Sequence, residues 1–251
     1  MLTKRLITAA ILLPFVVFGT LLLDDMLFRI VLALVITIAA WEYCNLISVK
    51  QLASRLLYVF ALIVMAFILA SINSWLIPII IVSSAWWLLN TYWVSCYPKF
   101  TNLWHEIQGV RLLNGFFIFV PMFLALAALQ KNNSELVLLL LMLIWSADSG
   151  AYFAGKAFGS KKLCPRVSPG KTIEGMIGGI VASIAIMLVY LELYIEPIST
   201  KQYLVYVALS VVISIVSVVG DLFESIHKRL ANVKDSGALL PGHGGLFDRI
   251  D

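Results

Sequence analysis

The stretch YLVYVALSVVISIVSVVG, residues 203–220, carries no charged side chain over 18 residues. A helix needs about 20 predominantly apolar residues to cross roughly 30 Å of hydrocarbon. Because lipid offers the backbone no hydrogen-bond partners, only helices and closed barrels span a membrane, and barrels show short alternating segments instead. This stretch therefore predicts a membrane-spanning helix.

Apolar runs of similar length recur along the whole chain. They predict spans at about 6–23, 27–47, 54–70, 75–94, 112–129, 135–155, 173–195 and 203–220. Hydrophobic residues make up 61% of the 251 residues and charged residues only 13%, whereas a soluble domain carries about 25% charged residues. The sequence therefore predicts an all-α, polytopic membrane helix bundle with about eight transmembrane helices.

The basic residues fall almost entirely on one side of this predicted bundle. If the N-terminus is cytoplasmic and the spans alternate, fifteen of the eighteen Lys and Arg residues lie inside, and only Arg29, Lys131 and Lys201 lie outside. This bias predicts an integral membrane protein with a cytoplasmic N-terminus and favours a bacterial inner membrane. The net charge of +4 then reflects membrane orientation, and no nucleic-acid partner is expected.

The polar motifs are concentrated in the second half of the chain. Residues 1–144 are predicted to form a transmembrane scaffold, and residues 145–251 a membrane-embedded catalytic region. In the first part, Glu42 is either a partner for a cation of the site or an ordinary interfacial carboxylate. The second part begins near Asp148, where an ionisable residue inside a span marks a functional candidate. Tyr152 and Gly155 follow on the same helical face.

The segment SPGKT, residues 168–172, precedes the seventh predicted span. Ser168 suits an N-cap and Pro169 the first helical position, so this segment is expected to start the helix. A helix N-terminus attracts phosphate, and Lys171 and Thr172 add a charge and a hydroxyl. A Walker A loop is rejected, because Pro165 occupies the position of its first glycine and the preceding strand is missing.

The last predicted span leads into a stripe of polar residues. If the helix continues, Asp221, Glu224, Ser225 and Lys228 share one face. One explanation of this stripe is an interfacial salt bridge with no further role. However, two more carboxylates, Asp248 and Asp251, follow in GHGGLFDRID. Carboxylates of this kind suit Mg²⁺, which binds one or two of them together with substrate phosphates. The residues thus indicate metal-assisted chemistry on a phosphate-bearing substrate at the cytoplasmic surface.

Two blocks of the sequence resemble a known family. SIHKRLANVKDSGALLPGHGGLFDRID, residues 225–251, is similar to the signature of the phosphatidate cytidylyltransferase family, also called CDP-diacylglycerol synthases. All fixed positions are met; His227 stands where the family usually has an apolar residue. The pattern ADSGAY..GK.FG..KL.P.VSPGKT.EG..GG, residues 147–179, resembles a second block of that family.

The resemblance implies transfer of a cytidylyl group from CTP to phosphatidic acid in phospholipid biosynthesis, giving CDP-diacylglycerol and pyrophosphate. The implied cofactor is Mg²⁺, with a second cation left open. CTP, phosphatidic acid and membrane lipids are the implied partners, and a homodimer is among the states that the sequence allows. Asp221 and Asp248 are the implied metal ligands.

The resemblance also implies roles for the remaining polar residues. Phosphate oxygens would be held by Lys228, Arg229 and Lys234, while Asp235 and Asp251 would orient these bases or bind a second cation. His243 would contribute to catalysis beside glycines that let the backbone approach the phosphates. Substrate-binding roles are implied for Asp148, Ser168, Lys171, Thr172, Ser225, Gly242, Gly244, Gly245 and Arg249.

Chains of this family normally continue into a further membrane helix, so this one is expected to be truncated at Asp251. That expectation leaves a catalytically silent homologue as the main alternative. An ion-coupled transporter using Glu42, Asp148 and Glu192 is disfavoured, because most of the charge lies at the cytoplasmic helix ends. A phosphatidyl transfer from CDP-lipid to an alcohol is disfavoured because its DG..AR motif is absent.

Overall fold

The computed structural model describes residues 2–194, 198–240, 242 and 244–250. The long helices are α1 (Leu2–Leu22), α2 (Asp25–Leu46), α3 (Leu52–Ser71), α4 (Leu76–Cys96), α6 (Gln108–Asn132), α7 (Ser134–Phe158), α8 (Ile173–Tyr194) and α9 (Thr200–Leu230), and the short helix α5 is Thr101–Trp104. Strands β1 (Lys162–Cys164) and β2 (Ser168–Thr172) form an antiparallel hairpin. Single 3₁₀ turns occur at Asn73–Trp75 and Phe247–Arg249.

The helices have the length and composition of membrane spans. Seven of those described, namely α2, α3, α4, α6, α7, α8 and α9, are long and apolar enough to cross a bilayer, and α1 contributes the shorter apolar stretch Ala10–Leu22. Large apolar side chains such as Leu88 and Leu204 are 73% and 65% exposed. A lipid environment accommodates such side chains, whereas a soluble monomer rarely exposes large apolar patches. The predicted all-α polytopic membrane bundle is confirmed.

Helix α9 continues well beyond the predicted span. It ends at Leu230, ten residues after the predicted boundary at Gly220, and its last turn carries His227, Lys228 and Arg229. Cations at a helix C-terminus interact favourably with the helix dipole. The polar stripe was predicted on condition that the helix continues past Gly220. The structure meets this condition.

The chain forms two compact units. The first comprises residues 1–135 and 226–251, and the second comprises residues 136–225. The predicted division at residues 144 and 145 separated a scaffold from a catalytic region. It concerns roles rather than packing, and it stays a prediction.

In the first unit, two tyrosines fix α6 against α2 and α3. The Tyr43 hydroxyl donates to the carbonyl of Arg111, and the Tyr58 hydroxyl donates to the carbonyl of Leu112, both at 2.8 Å. A Cβ on Gly115 would lie 2.1 Å from the Tyr58 hydroxyl oxygen. Glycine at that position therefore lets both rings reach the α6 backbone.

In the second unit, α7 and α8 cross through small residues. A Cβ on Gly150 would lie 2.6 Å from the Ala182 Cβ, and one on Gly178 would lie 2.2 Å from the Ala154 Cβ. Small residues of this kind let membrane helices approach closely, so that van der Waals contact holds them together. The crossing is backed by an apolar cluster of Leu139, Leu143, Met187 and Leu191.

Candidate active site

A pocket of about 470 Å³ lies within the second unit. Its polar lining includes most of the substrate-binding residues predicted in this part of the chain: Asp148, Ser168, Lys171 and Thr172, together with the predicted metal ligand Asp221. Tyr152 and Gly155 line the same pocket, in agreement with the predicted shared face of α7. Apolar side chains such as Met176 and Ile180 complete the wall. The pocket thus combines charged groups with an apolar surface.

The β1–β2 hairpin carries the SPGKT segment into this pocket. Cys164 pairs with Ser168, and Lys162 pairs with Thr172, so the segment is extended. The prediction that Ser168 and Pro169 start the helix is wrong, because α8 begins only at Ile173. Its first turn is capped instead by Thr172, whose hydroxyl oxygen accepts a hydrogen bond from the Gly175 N–H at 3.0 Å.

Glu174 holds the start of the hairpin in place. Its carboxylate accepts hydrogen bonds from the Ser160 hydroxyl at 2.5 Å, and from the backbone N–H groups of Ser160 and Lys161 at 3.1 and 3.2 Å. Charge-assisted bonds of this kind are roughly twice as strong as neutral ones. Glu174 therefore positions the basic loop, a role that sequence reasoning missed because the partner amides lie 13 and 14 residues earlier.

Asp221 on α9 faces a lysine in the second unit. The Lys171 ammonium forms an ion pair with Asp221, and the Ser225 hydroxyl donates to the same carboxylate at 3.2 Å. The Asp221 side chain remains 37% exposed. Because exposed ion pairs contribute only about 0–1 kcal/mol, this pair is better explained by positioning than by stability.

Asp248 is buried in the first unit among donors. It accepts backbone hydrogen bonds from Ser236 at 2.9 Å and from Gly245 at 2.8 Å, and the Lys228 ammonium lies 2.9 Å from it. Gly244 has a φ of +88°, and a Cβ there would lie 2.8 Å from an Asp248 oxygen. The glycine is therefore required both by the left-handed backbone and by the close approach to the carboxylate.

The predicted residues thus fall into two groups, each within its own unit. The second unit brings together Asp148, Ser168, Lys171, Thr172, Asp221 and Ser225, and the first brings together Lys228, Gly244, Gly245 and Asp248. Asp235 lies close to Gly244. The remaining predicted residues of the first unit are exposed: Arg229, Lys234, Gly242 and Arg249. His243 and Asp251 lie outside the described residues.

The two predicted metal ligands, Asp221 and Asp248, belong to different units. Within residues 2–194, 198–240, 242 and 244–250, no group of three or more His, Cys, Asp or Glu side chains is clustered as a complete metal site. The residue that sequence reasoning underrated is Glu42, which is 5% exposed and bonded to the C-terminal segment. Its only signal was a carboxylate near a helix end.

Known proteins resemble this chain over its full length. A model of the cytidylyltransferase family matches residues 3–251. A phosphatidate cytidylyltransferase of Pseudomonas aeruginosa is 39% identical over 253 residues, covering 100% of this chain and 92% of the relative. One of Haemophilus influenzae is 32% identical over 271 residues, covering 100% of this chain and 94% of the relative.

A third relative matches over part of its length. The phosphatidate cytidylyltransferase of Bacillus subtilis is 38% identical over 168 residues, which is 65% of this chain and 60% of the relative. The family match and the two full-length relatives cover both sequence blocks on which the resemblance was based, the one around Asp148 and the one around Asp248. The chain belongs to the cytidylyltransferase family.

Proposed function

We propose that this chain transfers a cytidylyl group from CTP to phosphatidic acid, giving CDP-diacylglycerol and pyrophosphate. The observation that carries this function is the full-length similarity to two relatives named phosphatidate cytidylyltransferase. The pocket of the second unit agrees with it, because basic and acidic groups stand beside an apolar wall. The phosphates of both substrates would be held by the charged groups, and the acyl chains of the lipid would contact the apolar wall.

The reaction needs positioning more than a strong base. A phosphate oxygen of phosphatidic acid attacks the α-phosphorus of CTP, and the bond from that phosphorus to the bridging α–β oxygen breaks. The electron pair leaves with pyrophosphate. Because the lipid phosphate is already ionised near neutral pH, the protein contributes mainly orientation and neutralisation of charge. Lys156 and Lys171 line the pocket, and we propose that their ammonium groups hold phosphate oxygens.

The residues fit a divalent cation. Asp148 and Asp221 offer oxygen ligands to one pocket, and the ion pair of Asp221 with the Lys171 ammonium supports the proposal that this carboxylate can face a cation. Mg²⁺ commonly binds one or two carboxylates, keeps several waters and contacts substrate phosphates. From the family resemblance we propose Asp221, in this pocket, and Asp248, in the first unit, as metal ligands, with the number of cations left open. When bound, Mg²⁺ would offset the negative charge of the phosphates.

The remaining predicted residues lie in the first unit, and the family resemblance leads us to propose that the basic ones among them bind phosphate oxygens. Lys228, which pairs with Asp248, would hold phosphate oxygens together with the exposed Arg229, Lys234 and Arg249. Asp235, His243 and Asp251 keep their predicted roles beside these bases. Gly242 and Gly244, with φ of +80° and +88°, suit the predicted backbone approach to phosphate.

The assay that tests this function uses the purified chain in liposomes with CTP, phosphatidic acid and Mg²⁺. We expect CDP-lipid and pyrophosphate in equal amounts, and loss of both on addition of EDTA. Lys131→Ala, which alters an exposed residue, is the control and should retain the parent activity. Folded protein that yields no CDP-lipid would contradict the proposal. Release of CMP in a separate assay supplied with CDP-diacylglycerol and an alcohol acceptor would indicate phosphatidyl transfer instead.

We also propose that the protein lies in a bacterial inner membrane with its N-terminus and site cytoplasmic. The fifteen-to-three split of basic residues supports this orientation. An impermeant thiol reagent applied to spheroplasts should modify an Asn133→Cys variant between α6 and α7 but leave Cys164, on β1, unmodified until the cells are lysed. The opposite pattern would reverse the orientation. Light scattering in detergent would measure the oligomeric state and so test whether the homodimer that the sequence allows is formed.

A further inference from the structure

Glu42 lies in the C-terminal part of α2, yet its partners come from the end of the chain. Its carboxylate accepts a hydrogen bond from the Phe247 N–H at 2.8 Å and one from the Ser236 hydroxyl at 3.3 Å. These partners are 205 and 194 residues further along the sequence. Glu42 and Ser236 are only 5% and 4% exposed. A buried carboxylate without such bonds would be strongly unfavourable.

The C-terminal segment is shaped to receive this carboxylate. A Cβ on Gly237 would lie 2.2 Å from the Glu42 Oε1, and one on Gly245 would lie 2.5 Å from the Glu42 Oε2. Distances this short exclude any side chain unless the backbone or the carboxylate moves. Two glycines of the segment therefore pack directly against Glu42.

Ser236 links Glu42 to Asp248. Its hydroxyl donates to Glu42, while its backbone N–H donates to the Asp248 Oδ2 at 2.9 Å. Gly245 also contacts both carboxylates. Its N–H donates to Asp248 at 2.8 Å, and its Cα packs closely against Glu42. Phe247, the residue preceding Asp248, is bonded to Glu42 directly. Glu42 thus contacts the two described residues whose backbone N–H groups bond Asp248: Ser236 through a hydrogen bond and Gly245 through close packing.

The described residues after α9 form little regular structure that could hold Asp248 without Glu42. Leu240 and Gly244 form a single bridge, and Phe247–Arg249 form one 3₁₀ turn. Hydrogen bonds to a buried charged group are stronger than those between neutral groups. Removing the Glu42 carboxylate should therefore loosen this segment before it unfolds the bundle.

We propose that Glu42 is a positioning residue for the site: it anchors the segment around Ser236 and Phe247 and so orients Asp248. The inference rests on the proposed function in one respect, since it takes Asp248 to belong to the site. The competing explanation is a buried carboxylate that contributes only to global stability. A positioning role predicts that removing the carboxylate affects this segment and the Mg²⁺ dependence. A purely stabilising role predicts weaker structure throughout the protein.

The test compares Glu42→Ala with Glu42→Gln, whose amide carbonyl can still accept both hydrogen bonds. Asp25→Ala is the matched control, because Asp25 is a carboxylate on the same helix whose described ion pair is with Arg29 alone. Hydrogen–deuterium exchange is measured in EDTA on peptides that contain the amides of Ser236, Gly245 and Phe247. CDP-lipid formation is measured separately over a range of Mg²⁺ concentrations.

For Glu42→Ala we expect faster exchange confined to those amides, about 10- to 100-fold weaker turnover and a higher half-saturating Mg²⁺ concentration. Glu42→Gln should restore most of both readouts, because its amide oxygen keeps the acceptor for both hydrogen bonds. Ser236→Ala, which removes only the hydroxyl that donates to Glu42, should show the same pattern more weakly. It replaces Glu42→Ala in the test if that variant does not fold.

Unchanged exchange at these amides would overturn the proposal, as would faster exchange with unchanged turnover and Mg²⁺ dependence. Equal effects of Glu42→Ala on exchange across all helices would also overturn it, in favour of a global role. Failure of the proposed function looks different: the unaltered chain would make no CDP-lipid, whatever the exchange shows.

Discussion

Asp221→Asn is expected to lower CDP-lipid formation by about 100- to 1,000-fold, the cost of removing one preorganised charged group from an active site. The carboxylate lines the pocket, is 37% exposed and pairs with Lys171. An amide has nearly the same shape but cannot bind a divalent cation as a carboxylate does. Because exposed pairs contribute little to stability, the thermal unfolding midpoint should change little.

The control for this variant is Glu192→Gln. Glu192 is an exposed carboxylate near the C-terminal end of α8, whereas the pocket is lined by the N-terminal part of that helix. It should retain the parent turnover, which also separates the enzyme from an ion-coupled transporter that would rely on Glu192. Turnover of Asp221→Asn close to that of the parent would remove Asp221 from the metal site. Asp248→Asn should also abolish turnover, but its buried contacts with Lys228 and two amides make stability a necessary second measurement.

Gly178→Ala is expected to destabilise the second unit by about 1–3 kcal/mol, the usual cost of overpacking. The added Cβ would lie 2.2 Å from the Ala154 Cβ and 3.0 Å from the Gly150 carbonyl oxygen. Because both contacts are on α7, the helices must separate. Asp148 is also carried by α7, so the pocket should widen and turnover should fall with the thermal midpoint.

The compensating change tests this explanation. Adding Ala154→Gly removes the nearest contact and should recover most of the lost stability. Gly109→Ala, where a Cβ would meet nothing within 4 Å, should leave the thermal midpoint unchanged or raise it slightly. A midpoint for Gly178→Ala equal to that of Gly109→Ala would contradict the close crossing of α7 and α8.

The helices could be predicted from the sequence because their signal is local. Uncharged runs such as residues 203–220 specify a span without reference to the rest of the chain. The end of α9 at Leu230 could not be predicted in the same way. Beyond the membrane an amphipathic helix can stop at any turn, because no bilayer thickness sets its length. The SPGKT segment was misjudged because Ser and Pro suit both a helix start and a hairpin strand. Only the pairing of Cys164 with Ser168 distinguishes these possibilities.

The site could be predicted as a set of residues but not as an arrangement. Spacing on one helix placed Asp148, Tyr152 and Gly155 together, and all three line the pocket. The bonds of Glu42 to Ser236 and Phe247 join opposite ends of the sequence. No periodicity spans such a distance, so the carboxylate could be read equally well as interfacial. Long-range contacts of this kind require the fold.

In the reaction assigned to this chain, the α-phosphorus of CTP is transferred onto a lipid phosphate. The most direct measurement uses purified chain in liposomes containing phosphatidic acid, with CTP labelled either at the α- or at the γ-phosphorus. We expect α-label to enter the lipid fraction, γ-label to appear in pyrophosphate in equal amount, and Asp221→Asn to lower both by about 100- to 1,000-fold. Label from either position released without labelled lipid, from a protein that is folded and inserted, would contradict this expectation.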